Sequence, residues 1–392
     1  MPTGIQGLRG SGEFSTDFRP TNYRELFTLL EPNGSAPFNA LLAMTSGEAT
    51  DDPKYNHFRD EIPERVVKVN NGAGYNATAT SITIDADIEV GFLTAGTLLV
   101  NATTGELMRI TADASGTTIA VARNLGSSGL TIADNADLFV AGFAAADGAD
   151  VSTAVSFDPS VVYNYTQIFR TPFAVTNTLR ATYRRTGDAE DEFATKALKL
   201  HMQEIERAMF FGKRHIENSA AYNERRYTGG LLNSITNVVD GATWSTAGQM
   251  TEDEFDSMLI NSIFAFGSQQ KLAFVGAKVA AHLQRFGKSR WQPTVVEGTY
   301  GVNVTNYATM AGDLMVHLNP QFRQVPNMDS AMVIIDMPHV KYRYLDGRDT
   351  QLLRDRQGNG VDGAIHEYLS DCGLELTQDK VHTYIKGWLT TA

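Results

Sequence analysis

Between Tyr75 and Ala146 apolar and polar residues alternate with period two, as in Ser81-Ile82-Thr83-Ile84 and Thr118-Ile119-Ala120-Val121. That period marks half-buried strands. Turn clusters at Ala95-Gly96, Thr104-Gly105, Ser115-Gly116 and Ser127-Ser128-Gly129 cut the run into short strands. Strands of about 5–8 residues at this spacing predict a small antiparallel β barrel or sandwich. After Gly187 the period changes. Ala194, Ala197, Leu198, Ile205, Ala208 and Met209 recur at helical spacing. Asp188 stands where it caps the helix, and Glu190, Asp191 and Glu192 complement the positive end of its dipole. Gly212 ends it. Roughly 24 residues at about 1.5 Å each make a rod of about 36 Å, long enough to serve as a spine.

Upstream, residues 1–55 read as an arm. Gly4, Gly7, Gly10 and Gly12 loosen its start. A short helix is predicted over Asn22–Leu30 with Thr21 as cap, and a second begins at Pro37, a residue suited to the first helical position. The second carries Phe38, Leu41, Leu42 and Met44. Neither is long enough to be stable alone in water, so their apolar faces must dock on the rest of this chain or on a neighbouring subunit. Downstream, Lys213 to Arg226 reads as a polar, partly basic loop. Thr251 and Glu254 fit a capping box ahead of Phe255, Met258, Leu259, Ile263 and Phe266. A strand at Leu272–Val275, a helix over Lys278–Phe286 and strands near Val302–Thr305, Leu314–Leu318 and Met332–Asp336 complete a mixed α/β region. The last 50 residues return to β pairing, with Val381, Thr383 and Ile385 alternating against His382, Tyr384 and Lys386.

The chain has 392 residues, enough for two or three domains. Hydrophobic residues at 42% and charged residues at 20% suit a folded, soluble chain. A net charge of −12 argues against a DNA-binding regulator, while leaving room for a container whose wall avoids its cargo. The charge is uneven: Gly72 to Asp150 holds nine acidic residues against two arginines, −7 of the total, and no lysine, histidine or proline. The β-rich run therefore reads as an inserted, solvated module. With Cys372 as the one cysteine, no intrachain disulfide forms and a thiolate zinc site is not expected. Met1 to Gly12 lacks the apolar stretch of a secretory signal, and no window approaches the roughly 20 apolar residues of a membrane span. Synthesis and retention in a cytosol is the expectation.

Candidate chemistry is mostly negative. Gly358-Asn359-Gly360-Val361-Asp362-Gly363 spells a dinucleotide fingerprint, but no strand leads in, no amphipathic helix follows, and 29 residues are too few for the rest of the unit. A glycine-rich loop is the better reading. No two of the eight histidines lie three or four residues apart, so no helical metal pair exists. Neither a serine nucleophile elbow nor a phosphate-binding Walker loop is present. Cys372 lies in an expected strand and reads as a buried or edge thiol. No catalytic, cofactor or metal residue is assigned, and the chain is not expected to be an enzyme. One charged cluster stands out: Lys341, Arg343, Asp346, Arg348, Asp349, Arg354, Asp355 and Arg356. It is open to three readings: a solvated hairpin, a subunit contact in which opposite charges set register, or a nucleic-acid site diluted by aspartates.

A series of motifs spans nearly the whole chain. They are Pro32-Asn33-Gly34-Ser35-Ala36-Pro37 with Leu41-Leu42, Asp52-Pro53-Lys54-Tyr55 running to Pro63, Gln167-Ile168-Phe169-Arg170, and Arg185-Thr186-Gly187-Asp188 leading into the spine. Ile205-Glu206-Arg207-Ala208 to Phe211-Gly212, Gly312-Asp313 with Asn319-Pro320, and Tyr342-Arg343-Tyr344-Leu345 follow. In this order and spacing they resemble the major capsid proteins of tailed bacteriophages, in particular the family that includes podophages with elongated heads. The same fold is used by encapsulin nanocompartments. A tryptophan expected near His57-Phe58 is missing, and the inserted β module is a departure whose role does not carry over.

The resemblance implies an α+β tailed-phage capsid fold. It has an N-terminal arm (1–55), an extended loop and its return (56–74 and 147–187), an inserted small β barrel or sandwich (75–146), a peripheral domain with the long spine helix (188–229 and 340–392) and an axial α/β domain (230–339). It implies a virion protein, assembled in the host cytoplasm, that joins copies of itself as pentamers and hexamers into an icosahedral or prolate head around double-stranded DNA. The DNA would be touched non-specifically at the inner face. Scaffolding, portal and decoration proteins are further candidate partners; a membrane is not. Phe38, Leu41, Leu42, Arg343, Asp346, Arg348, Asp349 and Arg354 are the candidate subunit-interface residues. Alternatives are an encapsulin-like shell or a phage tail or receptor-binding protein.

Overall fold

The computed structural model describes residues 36–42, 47–62, 65–85, 90–126, 130–150, 152–184, 187–219, 222–286 and 305–389. The helix expected over Asn22–Leu30, Met44 and the start of the strand near Val302 lie outside them. The chain divides into two units, one of Met1–His57 with Val162–Ala392 and one of Phe58–Val161.

The larger unit is organised around the spine helix, Ala189–Phe211. Asp188 caps it by accepting a hydrogen bond from the Glu190 N–H. Gly212 closes it in a space with no room for a side chain, because a Cβ would strike the carbonyl oxygens of Ala208 and Thr228. Ala197, His201, Ile205, Met209 and Phe210 form its buried stripe. The first sheet runs Glu48–Thr50, Val340–Leu345, Gly363–Leu376, Gln167–Thr176, with Gln351–Leu353 also on the long strand. Gln167–Thr176 pairs antiparallel with Gly363–Cys372 over ten residues, whereas Glu48–Thr50 adds a parallel edge.

The second sheet has six strands in the order Asn237–Asp240, Thr383–Lys386, Met332–Ile335, Gln270–Val275, Asp313–Leu318, Thr305–Ala308. Its central strands are buried on both faces, and period two sorts their side chains between two cores. Leu272, Phe274, Val333 and Ile335 join Phe38, Met209, Phe210 and Phe322 on the spine side. Ala273, Val275, Met332 and Ile334 join Phe255, Leu259, Val279, Leu283 and Trp388 on the other. The helices of that side are Glu252–Met258, which has the full Thr251–Glu254 capping box, and Ala277–Phe286.

The smaller unit is an antiparallel barrel, so the sandwich alternative falls away. Its strands run Val66–Lys68, Asp137–Phe143, Thr97–Asn101, Leu107–Ser115, Thr118–Ala122, Ser81–Thr83. Closure comes from the bridge between Val69 and Ile84 and from Asn70 N–H to Thr83 O (2.9 Å) and Asp85 N–H to Lys68 O (3.1 Å). Inward-facing Val67, Ile82, Leu99, Met108, Ile110, Ile119, Val121 and Leu138 fill it.

Four expectations about boundaries change. The barrel starts at Val66, before the composition shift at Tyr75, because Arg65 and Lys68 mask a strand whose inward residues are Val67 and Val69. Residues 167–176, expected in the loop's return, are a sheet strand; Pro172 obscures them and is tolerated near the sheet's edge. Residues 213–226 are not a loop: His215–Ser219 and Tyr222–Tyr227 form a hairpin held partly by polar pairs, with Tyr227 Oη donating to Glu217 at 3.1 Å. Thr383–Lys386 belongs to the second sheet, between Asn237–Asp240 and Met332–Ile335, and not with the rest of 340–392.

Candidate functional site

Phe38, Leu41 and Leu42, expected at a subunit contact, are core of their own chain. The helix Pro37–Leu42 seats Phe38 against Phe210 and Phe274, with ring centroids 5.1 and 5.7 Å away. A polar clasp fixes its orientation. Asn39 donates from its amide to Met202 O (2.7 Å) and from its backbone N–H to Glu206 Oε2 (3.4 Å), while Asn319 donates to Glu206 Oε1 (3.2 Å). Burial pushes the Glu206 pKa up to about 8, against the opposing pull of these hydrogen bonds. The apolar face that needed a partner found one at the last turn of the spine.

Part of the charged cluster is spent within the chain, on buried acids of the sheet. The long strand Gly363–Leu376 carries Glu367, Asp371 and Glu375 four residues apart, hence on one face, and all three are buried. Cations from other segments meet them. Arg343 Nε reaches Glu375 while its Nη1 lies 2.6 Å from Glu48; Arg348 Nε lies 3.3 Å from Asp371; Arg170 and Arg356 share Glu367 at 2.6 and 3.4 Å. Lys341 Nζ lies 2.7 Å from Glu48, and its hydrogen bond, with Arg343 nearby, holds the Glu48 carboxyl below its ordinary range. Tyr342 donates to Asp349 at 2.9 Å. Arg343, Arg348 and Asp349 therefore tie the arm strand and the following turn to the sheet. Asp346, Asp349, Arg354, Asp355 and Arg356 remain exposed. The Glu-x3-Asp-x3-Glu spacing was the missed signal.

The opposite face of the same strand meets the spine. His201 lies between Thr171 Oγ1 (2.9 Å) and Ser370 Oγ (2.8 Å), and Ser370 is 2.7 Å from Thr350 Oγ1. The Ser–His spacing is that of a nucleophile and its base, but both side chains are fully enclosed, so no substrate reaches them. Cys372 is buried too, and desolvation pushes its thiol up to about 12, far from reactive. Residues 358–362 lie in the loop between two strands of the first sheet, and Gly363 opens the long strand. Among the described residues, no group of three or more His, Cys, Asp or Glu is placed to hold a metal ion, and no helix is long and apolar enough to cross a membrane.

The arrangement thus ties polar groups into structure. Residues 10–388 match the model of the family described as SU10 major capsid protein. The chain belongs to that family. It is 28% identical over 346 residues to the major capsid protein of Pseudomonas phage PaMx41, covering 84% of this chain and 79% of that one. Among solved structures, the capsid of an empty GTA particle is similar over 97% of this chain and 99% of its own (9% identity, TM-score 0.48). The SrpI encapsulin of Synechococcus elongatus PCC 7942 is similar over 61% and 81% (15% identity, TM-score 0.39). As a major capsid protein the chain is a structural component of the virion shell. The tail-protein alternative is set aside by both matches.

Proposed function

We propose that this capsid protein closes into rings of five and six through unlike edges, building an icosahedral or prolate head around double-stranded DNA. A head-to-tail contact closes into rings when its rotation divides a full turn. The observation that carries the reading is an extended segment, residues 152–159, that is exposed at every position and belongs to no helix or strand, held to its own unit by Thr153 Oγ1 donating to Asp113 at 2.8 Å. Such a segment gains burial only from another molecule. The loops carrying Asp346 and Arg354, on either side of the short strand Gln351–Leu353, supply the charged contact, with Arg343, Arg348 and Asp349 holding the first of them in place. The barrel is an insertion in the extended loop; Glu252–Met258, Ala277–Phe286 and the second sheet form the axial domain. Scaffolding, portal and decoration proteins join this assembly, and its role is structural without catalysis.

Negative-stain electron microscopy of the purified chain, with sedimentation alongside, tests this reading. Closed shells, tubes or five- and six-membered rings are expected. A monomer or trimer under all conditions, including with the phage's scaffolding protein added, would refute it.

A further inference from the structure

The barrel's outer face carries an apolar row in register. Val66 pairs with Phe139, Phe139 with Val100, and Val100 with Leu107, across four adjacent strands. All four side chains point outward, because their strand neighbours Val67, Leu138, Leu99 and Met108 are buried in the barrel. Val66 and Phe139 are 42% and 38% exposed. A contiguous row differs from singly scattered apolar residues, which need no partner. The charges beside it are unusual for this unit, which has thirteen acidic side chains against five basic ones. Lys68, two residues from Val66, and Arg109, two residues from Leu107, flank the row on opposite sides. Lys68 has a loose pair with Asp137 (3.9 Å), and Arg109 makes no ion pair among the described residues. Arg123 is consumed elsewhere, in a buried pair with Glu106.

The same unit holds the complement. In residues 152–159, Val155 and Phe157 are each 41% exposed, and Asp158 follows them. Val66, Phe139 and the segment are exposed while Val100 and Leu107 are half-buried, so one copy does not cover its own Phe139 with its own segment. At about 3.3 Å per residue, eight extended residues span roughly 26 Å, while four strands about 4.8 Å apart are crossed in roughly 14 Å.

We propose that the segment 152–159 of a second copy lies across this row, placing Phe157 on Phe139, Val155 on Val100 and Asp158 beside Lys68 or Arg109. This rests on the shell reading above. It adds a heterologous contact in which a basic-flanked apolar face meets an extended apolar segment of the next subunit that carries Asp158.

Two measurements on assembled particles test it. In wild-type particles, hydrogen exchange of residues 137–143 and 152–159 should slow at least tenfold relative to the unassembled chain, in both segments together. A double variant F139C/F157C, oxidised after assembly, should migrate as linked oligomers on a non-reducing gel, whereas neither single variant should; native Cys372 is buried and does not compete. Equal exchange in particles and free chains would overturn the contact without any variant. Protection of 137–143 alone, or particles of the double variant that stay unlinked, would also overturn it, by assigning the row another occupant. Failure of wild-type chains to form particles would instead count against the shell reading, and is seen by microscopy before either test.

Discussion

Inside the barrel one ion pair is almost wholly removed from water, and its loss should be the most damaging polar change in that unit. Arg123 binds Glu106 with two bonds, Nε to Oε1 at 2.9 Å and Nη2 to Oε2 at 2.5 Å, and also donates to the carbonyls of Asn76 and Leu130. The side chains are 2% and 0% exposed. The guanidinium thus joins the loop near residue 106 to the segments near 76 and 130, which are otherwise paired only by the bridge between Tyr75 and Ile132. Substituting Met for Arg123 leaves a carboxylate buried without its cation and two carbonyls without a donor. Breaking one side of such a pair costs about 3–5 kcal/mol, against a typical domain stability of about 5–15 kcal/mol. At about 1.4 kcal/mol per factor of ten, barrel opening should rise by roughly a hundredfold to several thousandfold. Because the chain has two units, a single melting temperature would blur the effect. Hydrogen exchange of peptides over residues 97–122 in the full chain isolates it. Replacing both partners with apolar residues of similar size, as in R123M/E106L, should recover much of the loss, since the unpaired charge is then gone. If R123M changes opening by less than about 1 kcal/mol, or the double variant is no better than the single, the ion pair is not what holds these loops.

Other outcomes follow from the larger unit. Gly373 faces Tyr55 Oη and Tyr165 O, which an added Cβ would meet at 2.5 and 2.7 Å; G373A should cost about 1–3 kcal/mol, read by thermal unfolding followed in the near-ultraviolet. Truncating residues 1–35 should leave this unit folded by circular dichroism, whereas removing 1–50 strips Phe38, Leu41, Leu42 and the edge strand. The longer truncation should give insoluble protein, and F38A alone should cost about 3–5 kcal/mol. Glu206 has its pKa raised from 4.5 to about 8 by burial. The folded state therefore holds a proton the unfolded chain has released, and this contribution is fully present below about pH 4.5 and lost as pH rises through 8. E206Q should flatten that decline, so denaturant midpoints of wild type and variant should diverge between about pH 4.5 and 8 in the variant's favour and run parallel above it; parallel profiles throughout would show that Glu206 does not titrate there.

Much of the local structure was legible in order. The spine's limits were set by Asp188 and Gly212, the capping box by Thr251 and Glu254, and the barrel by alternation about turn clusters, because caps and periods are carried by neighbouring residues. The hairpin at 215–227 escaped, since Glu217, Arg225 and Tyr227 pair through polar tips that leave no apolar period. Within the charged cluster, composition announced interaction but not direction.

Direction depended on residues far away in the chain. Glu48 meets Lys341, and Tyr55 donates to Leu374 O at 2.9 Å, across separations of 293 and 319 positions. Whether Phe38 would fill its own core or a neighbour's, and whether Arg343 would face solvent or Glu375, depended on which surfaces the two sheets and the spine left open. Period and capping are decided within a few residues, so this sequence determined its elements by itself. Sheet order, register and the fate of each buried charge are decided by the burial gained when distant segments meet, and only the tertiary structure supplied that.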